Sequence, residues 1–150
     1  MRIVPYRPTH FDEVDALWQL CFPEDPPLNR AASAIPAKQA VGDDLFFVAE
    51  MGDGHTVGTA MAGYDGHRGW LYAIAVHPNF RSRGVGSALV AQACNPLAER
   101  GCMKVNLQVR AGNEPVARFY EKLAFIREPR ISMGRTLQPT NAPARGRGVQ

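Results

Sequence analysis

The stretch Leu71 to Gly86, L-Y-A-I-A-V-H-P-N-F-R-S-R-G-V-G, constrains this chain more than any other part of it. The apolar and aromatic residues from Leu71 to Val76 read as a buried strand, and His77-Pro78 reads as its stop. Arg81 to Gly86 then forms an Arg- and Gly-rich loop that opens a helix, with Val85, Ala88, Leu89 and Ala93 recurring on one face. A strand that feeds directly into a helix start presents main-chain N–H groups at the positive end of the helix dipole. Such a start is a ready seat for phosphate. The pattern therefore predicts a phosphate-bearing ligand at the end of a strand.

A chain of 150 residues fits one domain, and 45% hydrophobic with 21% charged residues is the make-up of an ordinary globular protein. No apolar run approaches the roughly 20 residues that span a bilayer. The N-terminus, M-R-I-V-P-Y-R-P, has no h-region, so we expect a cytoplasmic protein without membrane contact. Cys21, Cys94 and Cys102 are odd in number and lack metal-ligand spacing, which points to packed thiols and no metal site. The net charge is +3, and part of it lies in the tail from Gln138 to Gln150. That tail has too little apolar content to pack, so the expected domain is 1–137 with a disordered tail, 138–150. Two tail arginines do not make a nucleic-acid site.

Arg2 to Tyr6 reads as a first strand. Thr9 and Asp12 suggest a capped helix start, followed by Phe11, Val14, Leu17, Trp18 and Cys21 at helical spacing up to P-E-D-P-P. A second helix is expected from about Asn29 to Ala40. Leu45–Met51, Thr56–Tyr64 and Trp70–Val76 are three strands joined by turns, an antiparallel meander. The helix from Val85 to Arg100 should be kinked or interrupted near Asn95, because Pro96 removes a hydrogen bond and clashes with the preceding turn. Met103–Val109 alternates as a strand, Asn113–Leu123 as a helix, and Phe125–Leu137 contains a last strand. A right-handed strand–helix–strand crossover makes Trp70–Val76 and Met103–Val109 parallel neighbours, and crevices beyond strand ends at such switches favour ligands.

The loop itself excludes two phosphate motifs. No Gly-Lys-Ser/Thr follows it, so it is not a P-loop, and Leu89 takes the last place of a dinucleotide G-x-G-x-x-G. What remains is R-x-x-G-x-G after V-H-P, which taken alone also describes a helix start needing flexible backbone. With it goes N-x-x-x-A-x-x-F-Y-E-K-L-x-F, from Asn113 to Phe125. In that order and spacing the two motifs resemble the Gcn5-related N-acetyltransferase (GNAT) family. The hairpin G-Y-D-G-H-R-G is similar to that of small bacterial YpeA-type members.

The resemblance implies an α/β fold with a mixed, mostly antiparallel sheet, a splayed parallel strand pair, and acetyl-CoA as acyl donor. Main-chain N–H groups of Arg83, Gly84, Val85, Gly86 and Ser87 would hold the pyrophosphate, and the Arg81 and Arg83 side chains would add charge. The pantetheine arm would run along Ile74, Ala75 and Val76, with a main-chain N–H near Ile74 stabilising the oxyanion of the attacked thioester. Tyr120 matches the tyrosine that donates a proton to the leaving thiolate, although as a helical aromatic it also suits a core. Asn113, followed by Pro115, reads as an N-cap, and in the family this Asn also touches the cofactor arm. Ala124 departs from the usual Gly before Phe. A left-handed cap on Ala costs roughly 1 kcal/mol, so that helix is expected to end differently.

A general base is not legible. Trp70, Tyr72 and Gln108 stand where the family often has Glu, which leaves Asp65, His67, His77 or a water chain. The implied partners are acetyl-CoA and an amine, with the acceptor entering beside the Asp65–Gly69 hairpin and the protein a monomer or homodimer. A catalytically weak acyl-CoA-binding or sensing module is the alternative.

Overall fold

Four strands run antiparallel in chain order: β1 (Arg2–Pro5), β2 (Phe46–Glu50), β3 (Thr56–Tyr64) and β4 (Gly69–Val76). A fifth, β5 (Val105–Asn106), joins β4 in parallel, so the sheet order is β1-β2-β3-β4-β5. This computed structural model describes residues 1–138. From residue 139 onward, the tail expected to be disordered lies outside the described residues. The chain separates into two parts, Met1–Asn113 and the part that begins at Glu114.

In the first part, α1 (Phe11–Cys21) and α2 (Ala31–Val41) share a core with the sheet: Tyr6, Val14, Leu17, Trp18, Ile35, Phe46, Val48, Met61 and Ala75. The buried face of α3 (Val85–Glu99) carries Val85, Leu89, Ala93 and Leu97. Burial of a side chain such as Leu89 contributes about 2 kcal/mol. With helices packed on both faces, β2 as far as Ala49 and most of β3 are buried at every position, which explains why both read as near-continuous apolar runs. At Gly58 an added Cβ would stand 2.8 Å from Leu89 Cδ1 and 3.0 Å from the carbonyl oxygen of Ala75. The missing side chain is what lets α3 approach β3 and β4.

Several expectations change, and the strand expected over Met103–Val109 is only Val105–Asn106. Thr9 does not cap α1. A 3-10 turn at Pro8–His10 precedes the helix, and His10 Nδ1 accepts the Arg7 N–H at 2.9 Å. The ring's other nitrogen then donates to Glu50 Oε2 at 2.7 Å, and Glu50 Oε1 also accepts from Arg2. Pro96 does not interrupt α3, which is assigned unbroken to Glu99. The proline frees only the Gln92 carbonyl, near the helix end, while fully buried Leu97 anchors the last turn and its carbonyl accepts from Arg100 and Cys102. Among the described residues no strand is assigned in 125–137. Pro129 lacks a donor there, and Ile126, Ile131 and Met133 are exposed rather than buried.

In the second part, α4 (Glu114–Lys122) ends on Ala124 itself, at φ +72°. The Phe125 N–H donates to the Tyr120 carbonyl and the Ala124 N–H to that of Glu121, both at 3.1 Å. This is the Schellman pattern, with its apolar contact supplied by the Tyr120 and Phe125 rings, whose centroids are 5.6 Å apart. The helix therefore does end as a glycine-capped one would, on an alanine. Arg127 folds back to Glu114 Oε1 at 2.7 Å and Glu121 Oε2 at 3.1 Å, binding the chain after the cap to the helix.

Candidate active site

The strand at the centre of the site is irregular. Thr59 faces Ala75 and Met61 faces Tyr72, so Ala60 opposes two residues, Ala73 and Ile74. That is a β-bulge, and Ala73 adopts φ +49° to make it, a conformation that costs a non-glycine residue about 1–2 kcal/mol. The parallel ladder with β5 covers only Gly69 and Trp70. Ile74, Ala75 and Val76 lie beyond it, at the C-terminal end of β4.

After Val76 the chain turns through a 3-10 segment, Pro78–Phe80, whose start is capped by His77 Nδ1 accepting the Asn79 N–H at 3.1 Å. Two left-handed residues follow, Ser82 at φ +62° and Gly84 at φ +84°, and Gly84 is the N-cap of α3. Val85, Gly86 and Ser87 form the first helical turn, whose N–H groups have no partner within the helix. The Val85 side chain is buried, so only its main chain is available to a ligand. Arg81, Ser82, Arg83 and Gly84 are exposed. The assembly of glycine, positive φ and helix start is an anion seat.

The two arginines differ. Arg81 Nε donates to the Val76 carbonyl at 3.0 Å and its Nη2 to Cys21 Sγ at 3.6 Å, so it ties the loop to the ends of β4 and α1. Arg83 lies over the Phe80 ring, 5.4 Å from its centroid. The connector from α1 to α2 starts at Cys21, whose thiol donates to the Val76 carbonyl at 3.5 Å, and is tied by Asp25 Oδ1 to Arg110 Nη2 at 3.1 Å. It thus reaches from the end of β4 to the chain past β5. The Asp25 side chain is 16% exposed and that of Arg110 71%.

Among the residues considered as a base, Asp65 accepts the N–H groups of His67 and Arg68, each at 2.7 Å. Those bonds hold its carboxyl below the usual range, which makes it a turn residue. His77 Nδ1 is occupied in its cap. Tyr72 is half exposed on β4, and burial with the nearby Asp65 charge pushes its phenol up. In the second part, Tyr120 is buried beside Phe119 and Phe125, and burial raises its pKa to about 12. Asn113, the last residue of the first part, directly precedes α4 and donates its N–H to the Arg110 carbonyl at 3.0 Å. Among the described residues no group of three His, Cys, Asp or Glu is gathered as a metal site, and no helix is long and apolar enough to cross a membrane.

Sequence reasoning passed over Thr59 and read Trp18 only as part of the apolar face of α1. Thr59 is fully buried, donates its hydroxyl to the Ala73 carbonyl at 2.8 Å, and accepts from Trp18 Nε1 at 2.9 Å. The available signal was a lone hydroxyl within the apolar run Val57–Ala62.

Residues 11–125 match the model of the acetyltransferase (GNAT) family. The chain is 43% identical to an acetyltransferase of Sodalis glossinidius over 83% of its length and 87% of that protein. It is 41% identical to one of Pectobacterium atrosepticum over 91% of its length and 96% of that protein. An aminoglycoside N-acetyltransferase, AAC(6')-Iy in complex with CoA, shares the fold at a TM-score of 0.72 and 23% identity, covering 90% of this chain and 93% of that one. Because the family model spans residues 11–125 and the Sodalis and Pectobacterium relatives are more than 40% identical over most of both chains, the chain belongs to the acetyltransferase (GNAT) family.

Proposed function

We propose that this acetyltransferase moves an acetyl group from acetyl-CoA to a primary amine by direct attack in a ternary complex. The observation that carries the reading is the loop from Arg81 to Ser87, where the positive-φ turn at Ser82 and Gly84 delivers the first-turn N–H groups of α3 just past the end of β4. Those groups, from Arg83 to Ser87, bind the pyrophosphate, and Gly84 and Gly86 allow its close approach. Ile74, Ala75 and Val76 bind the pantetheine amides along β4, and Asn113 adds a contact to the arm. The Ile74 N–H, on the second residue of the bulge, donates to the thioester carbonyl and to the oxyanion that forms as the amine attacks.

In the transfer the amine nitrogen bonds to the acetyl carbon, the C–S bond breaks, and the proton lost by nitrogen balances the one gained by sulfur. Tyr120 is the proposed acid. A phenol near 12 keeps its proton at neutral pH, but full transfer to a thiolate of pKa near 8.5 is uphill by about 5 kcal/mol. It therefore hydrogen-bonds the departing sulfur and hands over its proton only as it regains one, through water, from the attacking nitrogen. With Asp65 and His77 committed to turns, exposed His67 or a water chain is the proton acceptor. This favours amines of low pKa. A lysine amine costs about 4.6 kcal/mol to deprotonate at pH 7, an α-amine about 1.

The acceptor is a small-molecule amine or a peptide or protein N-terminal amine, and residues 1–137 act as one catalytic domain. The test is an amine panel scored by free-thiol release, with Tyr120→Phe as control. We expect turnover on α-amines and a ten- to hundredfold slower variant. Acetyl-CoA binding with no thiol release on any amine would replace this reading with an acyl-CoA-binding module.

A further inference from the structure

We propose that Thr59 and Trp18 are positioning residues for acetyl transfer, because their hydrogen-bonded relay fixes the Ala73 peptide and so aims the neighbouring Ile74 N–H at the thioester carbonyl. The proposal rests on the reading above for what lies beside Ile74. Its geometry stands on its own.

A bulge adds a residue that the opposing strand cannot pair, and Ala73 is that residue, held in a conformation alanine rarely adopts. Something outside the ladder must hold it. The Thr59 hydroxyl does so from the adjacent strand, donating to the Ala73 carbonyl at 2.8 Å from a fully buried position. A hydroxyl can turn about its C–O bond, so one donated bond leaves it free to swing. Here the swing is stopped, because the oxygen also accepts from Trp18 Nε1 at 2.9 Å. Trp18 is itself immobilised on α1, 4% exposed and with its ring 6.0 Å from that of Phe46. The relay thus runs from a helix, across β3, to the single strained peptide of β4. The Ala73 carbonyl and the Ile74 N–H belong to one rigid peptide plane, so fixing the first fixes the direction of the second.

The chain thereby gains an aimed donor whose support lies outside the phosphate loop, and its loss should be felt in the chemical step rather than in the grip on coenzyme A. Displacing a reacting geometry by about 1 Å is worth up to a hundredfold in rate.

The experiment uses the full chain with Thr59→Val, Thr59→Ser and Trp18→Phe. It measures the Kd for coenzyme A by calorimetry, kcat on the best amine of the panel, and the carbonyl resonance of acetyl-CoA labelled with carbon-13 at the acetyl carbonyl. In the wild-type protein we expect the bound carbonyl to resonate downfield of free acetyl-CoA. In Thr59→Val we expect that shift largely lost, kcat down ten- to hundredfold and the Kd within twofold. Thr59→Ser, which keeps the hydroxyl, should restore kcat to within about threefold, and Trp18→Phe should fall between. Wild-type kcat and carbonyl shift in Thr59→Val would overturn the proposal, as would parallel losses of affinity and rate that Thr59→Ser fails to rescue. If Thr59→Val does not fold, the same two readings of Trp18→Phe decide. Failure of the wild-type protein to bind acetyl-CoA would instead overturn the acetyl-transfer reading and this proposal with it.

Discussion

Arg81 donates from Nε to the carbonyl oxygen of Val76, across the turn that separates the last residue of β4 from the start of α3. The side chain that sequence assigns to phosphate charge is thus also a strut, setting where the loop stands relative to the strand. Arg81→Ala should raise the Kd for coenzyme A by about three- to tenfold, since hydrogen bonds to charged groups contribute about 1.5–3 kcal/mol and exposure reduces that. Arg81→Lys should recover little of it, because one ammonium cannot reproduce the guanidinium fork. Arg83→Ala, removing an exposed cation stacked on Phe80, should weaken binding less. Calorimetry on the three variants checks the order.

Ala124 makes a second prediction. It occupies the left-handed position of the α4 cap with its Cβ in place. Ala124→Gly relieves about 1–2 kcal/mol of backbone strain and returns about 0.4–1 kcal/mol to the unfolded chain as entropy. The variant should be more stable by about 0.5–1 kcal/mol, seen as a higher urea midpoint with unchanged slope.

Gly58 predicts the opposite sign. A methyl there meets Leu89 Cδ1, which can give way, and the Ala75 carbonyl, which cannot do so without moving β4. Gly58→Ala should destabilise the protein by about 1–3 kcal/mol, as overpacked cores do. Because β4 carries the proposed pantetheine track, the Kd for coenzyme A should rise too. A stable variant with wild-type affinity would show the contact to be slack.

Glu13 and His55 predict a pH dependence. Glu13 accepts the Thr56 N–H at 2.7 Å and, on its other oxygen, His55 Nδ1 at 2.8 Å. The Thr56 and His55 bonds lower the Glu13 carboxyl, and the Glu13 bond raises the His55 imidazole. A raised imidazole gives stability that is fully present below the free value near 6.5 and lost as pH rises through the folded value. A depressed carboxyl gives stability present above its free value and lost as pH falls through the folded one. The pair therefore contributes most between roughly pH 4.5 and 6.5. His55→Ala should lower the urea midpoint at about pH 5.5 and leave it unchanged near pH 9.

Much of this architecture was legible in the residues. The meander follows from strands separated by Gly- and Asp-bearing turns, and the crossover follows from the helical face that Val85, Leu89 and Ala93 form after a strand. The helix start at Gly84 was legible for the same reason, since R-x-x-G-x-G has few other uses after V-H-P. The bulge was not. Ala73 adopts a glycine-like φ with no glycine to announce it, because its support comes from Thr59 and Trp18, 14 and 55 residues away in sequence. Pro96 and Ala124 misled for a related reason. Local preference argues against each position, and tertiary contacts through Leu97 in one case and the Tyr120–Phe125 ring pair in the other overrule it. What the two positions share is a packed neighbour one or a few residues along.

The Asp25–Arg110 pair is lopsided, with a carboxylate mostly covered by protein and a guanidinium mostly in water. Ions in the buffer screen the wet partner first, and such a bond is worth only about 0–1 kcal/mol. Raising ionic strength should therefore unfasten the α1–α2 connector from the arginine end and strand a negative charge beneath it. Kinetic constants gathered at different salt concentrations would then describe differently latched molecules, and acceptor rankings need to be compared at one fixed salt.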